Sequence, residues 1–445
     1  MVASIKQVVV KKFPNRSNKV NSKEDCKSYK YIPMIVHGDG VEFVDDDSLE
    51  VFNMGPLLGT GDSMDCMFLL GVWPYKCTHK KKQGSSRVVN ETWKAPVEEL
   101  ARSFKLCLGG RAAGDAVTPQ GYRFVVWAIT GDNEHHANFF GMPHWSMNDW
   151  CGGCNCNKTS RDGMKFAGRK WVERELSEEL ACRQSSNVFF TIPGVVSHSV
   201  EDDPLHDIFN HGVLGHLIGS FLHSIIYCEG KGRQKVPPAH RLAVIWQTLK
   251  ENCKDMEIKN EGSTLVMSQI HTADKPHAGH PFFKLKGNRT KKLLPAVCRL
   301  CETVHDGSEL SLHRLEAMKA MTDFVELLDV APIVPTDSQA LEATTLMDTF
   351  LEHSTWLCEW AKRGERLLYH MVNKHHYCWH LSRKFKYLNS RFTWTFKTED
   401  YVGKISTLGH NCSRGKAKSE VAKAVCEKYR ECVHLRLTRC DFNDD

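Results

Sequence analysis

The stretch YIPMIVHGDGVEF, residues 31–43, decides the fold: an apolar run that ends in His-Gly-Asp-Gly and then resumes. It reads as a buried strand that delivers Asp39 between two glycines, where the missing side chains let a ligand or another backbone approach closely. A plain turn is the competing reading, because Asp-Gly is the strongest short hairpin signal. Working outward, SLEVFNMGPLL (48–58) follows an acidic turn at Asp45–Asp47, and CMFLLGVWPY (66–75) follows the glycine-rich GTGDSMD. Short apolar runs joined by such turns predict an antiparallel meander. ETWKAPVEELARSFKLCLGG (91–110) then carries apolar residues at helical spacing and a glycine stop. YRFVVWAITGD (122–132) is a further buried strand, and it ends at Asp132.

The order β-β-β-α-β predicts the first half of an RNase-H-like fold, an α/β mixed sheet with carboxylates at strand positions. From about 150 to 390 the pattern turns helical, with candidate helices near 205–227, 239–253, 310–330, 338–363 and 365–380. Two amphipathic segments follow, near 397–411 and 416–434. The expected organisation is a flexible basic arm (1–30), the first half of the core (31–148) and a large, mostly α-helical insertion (149–390). C-terminal helices (391–435) complete the core, ahead of a short tail (436–445).

Composition narrows the class only loosely. The 445 residues are 41% hydrophobic and 25% charged, an ordinary globular balance, and the net charge of +6 is too small to mark a nucleic-acid binder by itself. Basic residues gather near the start (Lys11, Lys12, Arg16, Lys19, Lys23, Lys27, Lys30) and near the end (Arg414, Lys416, Lys418, Lys423, Lys428, Arg430). The opening MVASIKQVVVKKF lacks a signal-peptide core, and no stretch approaches the roughly 18–20 apolar residues of a membrane span. The 18 scattered cysteines and 23 histidines therefore point to a reducing interior, with some of them metal ligands. Most of the cysteines read as small buried hydrophobes.

Asp132 repeats the arrangement at Asp39, a long apolar strand ending in Gly-Asp. Neighbouring strands lie about 5 Å apart, so the two carboxylates are placed to share a divalent cation, and hard oxygen ligands suit Mg²⁺ or Mn²⁺. Beyond them, Cys151-Gly-Gly-Cys154 is half of a zinc pattern, with Cys156 close behind. A redox pair is the alternative, though no thioredoxin-like βαβ unit frames it. In Asp203-Pro-Leu-His206, His206 is the candidate to complete a zinc site with the two cysteines, and Asp203 or Cys156 is the fourth ligand. Asp203 also reads as a helix N-cap with Pro204 in the first turn, and the two roles are compatible. Near the end, Glu399 and Asp400 open a helix striped by Val402, Ile405 and Leu408. Acids in a first turn are favoured by the helix dipole without any chemistry.

Taken in order, these segments resemble the catalytic region of CACTA-type (En/Spm-like) DDE transposases and related families with a helical insertion. HGDG at 37–40 resembles the segment of the family's first acid, and ITGDNEHHANFFGMPHW (129–145) that of the second. The C-x₂-C at 151–154, the Asp-x-x-His at 203–206 and WTFKTEDYVGKI (394–405), which resembles the third-acid segment, follow in the family's order. The resemblance spans roughly residues 31–435. It implies a DDE triad of Asp39, Asp132 and Glu399 that binds two Mg²⁺ (or Mn²⁺) ions for DNA cleavage and strand transfer. It also implies double-stranded transposon-end and target DNA as partners, a homo-oligomer, and the nucleus as the place of action.

Lys80, Lys81 and Lys82, with His79 and Arg87 beside them, and Lys416, Lys418, Lys423, Lys428 and Arg430 are the candidate phosphate contacts. The plain alternative for each is a solvated surface. The aromatic-rich stretch Tyr369–Trp379, with His370, His375 and His376, either lines the DNA channel or packs between helices. Two departures stand out: family members carry further sequence ahead of the core, and the patterning of 75–120 does not match theirs. A truncated or domesticated copy is accordingly one expectation. The rival functions are a nuclease on the same fold and a catalytically inactive, zinc-stabilised DNA- or protein-binding protein.

Overall fold

The computed structural model describes residues 30–44, 47–59, 61–74, 80–83, 87–90, 94–111, 117–118, 121–140, 142–144, 146–157, 171, 187–196, 199–228, 236–259, 264–270 and 279–440. The basic arm before Lys30, His79 and the tail from 441 lie outside them. The chain is mixed α/β, mostly helical, and divides into two compact units. A sheet unit takes the described residues through Asn155, then 187–202, then Thr393 onward. A helical unit takes Asp203–Phe392 with Cys156, Asn157 and Trp171. Residues 187–202, expected within the helical insertion, therefore belong to the sheet unit.

In the sheet unit the chain runs β1 (Lys30–Val44), β2 (Asp47–Pro56), a single turn α1 (Ser63–Cys66) and β3 (Phe68–Pro74). The hairpin β4 (Lys80–Gln83) and β5 (Arg87–Asn90) follows, then α2 (Lys94–Leu108), β6 (Tyr122–Gly131) and α3 (Asn133–Phe140). The meander β1–β2–β3 is antiparallel and β6 joins β1 in parallel, giving one four-stranded mixed sheet in the order β3-β2-β1-β6. Beyond β6, Val200 makes a parallel bridge with Ile129, and the Glu201 N–H donates to the Ile129 carbonyl at 2.9 Å. β4 and β5 were not expected as strands, and among the described residues they pair only with each other.

The helical unit contains α4 (Val213–His223), α5 (Pro238–Asp255), α6 (Gly287–Thr303), α7 (Glu309–Val330), α8 (Asp337–Arg363) and α9 (Asn373–Lys384). α4 is apolar nearly all round and buried, as a helix inside a bundle must be. α7 and α8 form a long hairpin with defined starts: Ser308 caps the first, and Thr336 with Gln339 forms a capping box on the second. Among the described residues, no helix is long and apolar enough to cross a membrane. The chain then returns to the sheet unit with α10 (Phe396–Ser413) and α11 (Lys418–Cys440).

As the central strand, β1 is covered on both faces, which is why its sequence is apolar rather than alternating. Val36 faces a core of Val97, Ala101 and Phe104 from α2, Phe140 from α3, and Phe189, Phe190 and Ile192. Phe43 faces the opposite core, with Leu49 and Val51 of β2, Tyr401, Val402 and Ile405 of α10, and Val421 and Val425 of α11. Strand alternation sends the odd-numbered residues of this segment, His37 and Asp39 included, to the α10 side. Three polar ties hold the C-terminal helices there. The Ser406 hydroxyl donates to the Glu42 carbonyl at 2.5 Å, His410 Nδ1 lies 3.0 Å from the Phe43 carbonyl, and the Leu69 N–H donates to the Tyr429 hydroxyl at 3.1 Å.

Candidate functional site

Asp39 and Glu399 converge although they come from opposite ends of the chain. Asp39 lies mid-strand on β1, opposite Val51 of β2, and Glu399 lies in the first turn of α10. With His37 they form a group whose ligand atoms all lie within 4.8 Å of one another. His37 is 0% and Asp39 9% exposed, and Glu399 is half-buried. The Gly40 N–H donates to Asp39 Oδ1 at 2.8 Å and fixes that carboxylate. His37 Nδ1 lies 3.1 Å from the Thr130 hydroxyl on β6, directly across the parallel register. Oxygen ligands from two carboxylates can hold a hard divalent cation, and an imidazole adds one nitrogen donor.

Asp132 is not part of that group. β6 ends at Gly131, the partner of Gly38, and the chain turns at once into α3. There Asp132 Oδ1 accepts the His135 N–H at 2.6 Å, the bond of an N-cap. The structure thus brings two of the three sequence-derived acids together and gives the third a capping role beside them.

The glycines around these acids serve packing. A Cβ on Gly38 would stand 2.2 Å from two atoms of the His135 ring, and one on Gly131 would stand 2.7 Å from the Gly38 carbonyl oxygen. The space left open at Gly38 is filled by an imidazole, not held for a ligand. That ring stacks on Phe139 with centroids 5.3 Å apart and tilts against Phe52 at 5.1 Å. Burial pushes the His135 pKa down to about 4, with the neighbouring Asp132 charge pulling the other way.

A second group joins Cys151, Cys154, His376 and His380, all buried, with ligand atoms within 4.8 Å. The two sulfurs are 3.6 Å apart, and the Nε2 atoms of His376 and His380 are 3.0 Å apart. Two sulfurs bound at about 2.3 Å to one tetrahedral ion stand roughly 3.7 Å apart, so the cysteine pair fits zinc closely. The histidines sit at i and i+4 on α9, the spacing that puts both rings on one helix face. This Cys₂His₂ arrangement can bind zinc.

The other zinc candidates are placed differently. Asp203 Oδ2 and His206 Nδ1 are 2.6 Å apart, and Asp203 Oδ1 accepts the Leu205 N–H at 2.9 Å. Lys374 donates to the backbone carbonyls of His206 and His211 at 2.8 and 2.9 Å. Asp203 and His206 therefore organise the start of the helical unit, while Cys156 is buried outside the Cys₂His₂ group. The stretch Tyr369–Trp379, expected to line a channel or pack between helices, includes His376 and stops short of His380. The signal that identifies them is the His-x₃-His spacing within KHHYCWH.

The basic candidates are interleaved with acids. Lys418 pairs with the buried Asp47 at 3.2 Å, and Lys428 with Glu431 at 2.8 Å. Lys416 and Lys423 line a surface recess together with Glu420 and Glu427. Lys80, Lys81 and Lys82 form β4, pairing with Asn90, Val89 and Val88 of β5. No family model and no curated protein sequence matches this chain.

Proposed function

We propose that the sheet unit is an RNase-H-like centre of the DDE-transposase type that cuts and joins DNA strands with divalent cations, Mg²⁺ or Mn²⁺. The observation that carries this reading is the convergence of Asp39, on the central strand, with Glu399, on the first returning helix, in one group. The strand order β3-β2-β1-β6, with Val200 bridged to the outer edge of β6, supports the fold assignment. Asp39 and Glu399 would hold a divalent cation here, and that cation would supply Lewis acidity toward the attacking and departing oxygens of a phosphodiester. Asp39 and Glu399 act as ligands rather than proton shuttles. The Gly40 N–H holds the first carboxylate, and the first turn of α10 presents the second. Asp132 completes the triad by releasing its cap on α3, at a cost of about 1 kcal/mol. Zinc at the Cys₂His₂ group has a structural role. The substrate is double-stranded DNA, the protein works as a homo-oligomer on paired ends, and its place of action is the nucleus.

Asp132 also favours a second reading, a transposon-derived protein that has lost catalysis and keeps a zinc-stabilised DNA-binding role. Nicking of supercoiled plasmid by the full chain separates the two. The first reading expects nicking in Mg²⁺ or Mn²⁺, none in EDTA, and a loss of 100-fold or more in Asp39→Asn and Glu399→Gln. Plasmid bound but uncut by the wild type in either ion overturns it in favour of the second. Joining of a cut 3′ end to a second duplex distinguishes a transposase from a nuclease on the same fold.

A further inference from the structure

We infer that His37 is a third ligand of the Asp39–Glu399 centre, so that the centre takes a first-row transition dication such as Mn²⁺ in preference to Mg²⁺. The inference rests on Asp39 and Glu399 being metal ligands and is independent of what the centre cuts.

Three observations carry it. His37 and Asp39 are two residues apart on β1, so strand alternation puts both side chains on the α10 face, where Glu399 arrives. All three offer a ligand atom within 4.8 Å of the others. The His37 ring is fully buried and already oriented, with Nδ1 3.1 Å from the hydroxyl of Thr130, which is 1% exposed. In the tautomer carrying its hydrogen on Nδ1, the Thr130 hydroxyl accepts that hydrogen and Nε2 presents a lone pair. That is the usual arrangement of a metal-binding histidine, one nitrogen on the ion and the other fixed by an outer hydrogen bond. Thr130 is thereby a positioning residue for His37.

The donor set has a consequence for the ion. Mg²⁺ takes oxygen ligands and holds its waters, whereas imidazole suits first-row transition dications, most strongly Fe²⁺, Ni²⁺ and Zn²⁺, with Mn²⁺ the weakest-binding member of that series. Replacing one oxygen ligand by nitrogen shifts the preference toward transition dications. It also explains how a centre is built while Asp132 caps α3: the nitrogen of His37 supplies the third ligand from the same strand as Asp39.

Mn²⁺ binding to the full, zinc-loaded chain, read by electron paramagnetic resonance without DNA, tests the inference. The wild type should bind Mn²⁺ with coupling to a ¹⁴N nucleus and prefer it to Mg²⁺ in competition. His37→Asn should lose the coupling, weaken Mn²⁺ binding by 10-fold or more, and change Mg²⁺ binding far less. Thr130→Val, which keeps the imidazole, should keep the coupling and weaken Mn²⁺ by about 10-fold. It therefore reports on the inference even if His37→Asn fails to fold. Mn²⁺ bound without ¹⁴N coupling, yet lost in Asp39→Asn, overturns the His37 assignment and leaves the carboxylate site standing. Mn²⁺ binding unchanged in both Asp39→Asn and Glu399→Gln overturns the underlying metal site instead.

Discussion

Gly38→Ala should damage the protein far more than an exposed glycine substitution, and the structure gives the size of the effect. The new methyl carbon would stand 2.2 Å from His135 Cε1 and Nε2, more than an ångström inside normal contact. His135 has nowhere to go: Phe139 stacks on it at 5.3 Å, Phe52 leans on it at 5.1 Å, and Phe140 meets it edge-on at 5.9 Å. Moving β1 instead breaks the parallel pairing of Gly38 with Gly131. Overpacking of this kind costs about 1–3 kcal/mol, and the rigid surroundings put Gly38→Ala at the upper end. In urea the midpoint should fall by about 1 M for a slope of about 2.5 kcal/mol per M. Gly403→Ala on α10, where a new methyl meets nothing within 4 Å among the described residues beyond its own helix backbone, should instead stabilise by up to about 1 kcal/mol. Gly40→Ala meets the Glu50 carboxylate, its nearest oxygen at 3.4 Å, and should change little. Adding His135→Ala to Gly38→Ala should recover part of the loss, since the clash partner is gone. A Gly38→Ala protein within about 0.5 kcal/mol of wild type, by urea unfolding at equal slope, would refute the packing account.

His135 also makes stability depend on pH. Its folded pKa of about 4 lies below the ordinary 6.5, so between those values the unfolded chain takes up a proton that the folded chain refuses. Stability should therefore fall as pH drops from about 6.5 to about 4, by on the order of 3 kcal/mol in total, and should not depend on His135 above that window. Urea midpoints of wild type and His135→Phe across this range check it, and parallel slopes would exclude it. Purified protein should carry zinc that Cys151→Ser and His380→Ala lose by elemental analysis, while Asp203→Asn and His206→Ala retain it. The opposite pattern restores the Asp203–His206 assignment. Asp132→Asn keeps an N-cap acceptor and should retain stability, whereas Asp132→Ala should lose about 1 kcal/mol in the same denaturation assay. Both should fail to nick plasmid, and nicking at the wild-type rate by either removes Asp132 from the triad.

The strands were readable because each is a short apolar run between glycine, proline or acidic punctuation, and YIPMIVHGDGVEF alone places the central strand. Helices α5, α7, α8, α10 and α11 followed from apolar spacing. α6 was not read, and its interior Pro295 interrupts the helical signal. Phe189, Phe190, Ile192 and Val195 pack in the sheet-unit core, but four apolar residues in short turns carry no period that ties them to a sheet. At the candidate site, Asp39 was legible from its strand. Glu399 rested on order along the chain, because an acid in a first turn is equally a dipole partner. Cys151 and Cys154 announced half a zinc site. The other half was obscured because Asp203-Pro-Leu-His206 offers ligand-like residues whose mutual pairing appears only in three dimensions. The glycine reading was half right. Close approach does occur at Gly38, and the approaching group is the ring of His135.

On the proposed function, Asp39 and Glu399 would hold the cation used to cut DNA. Anomalous diffraction at the manganese edge, from crystals of the full chain soaked in Mn²⁺, tests it most directly. A manganese peak in coordination contact with both carboxylates, absent in Asp39→Asn, is the predicted result. A wild-type protein that nicks plasmid in Mn²⁺ but shows no manganese between Asp39 and Glu399 would contradict it.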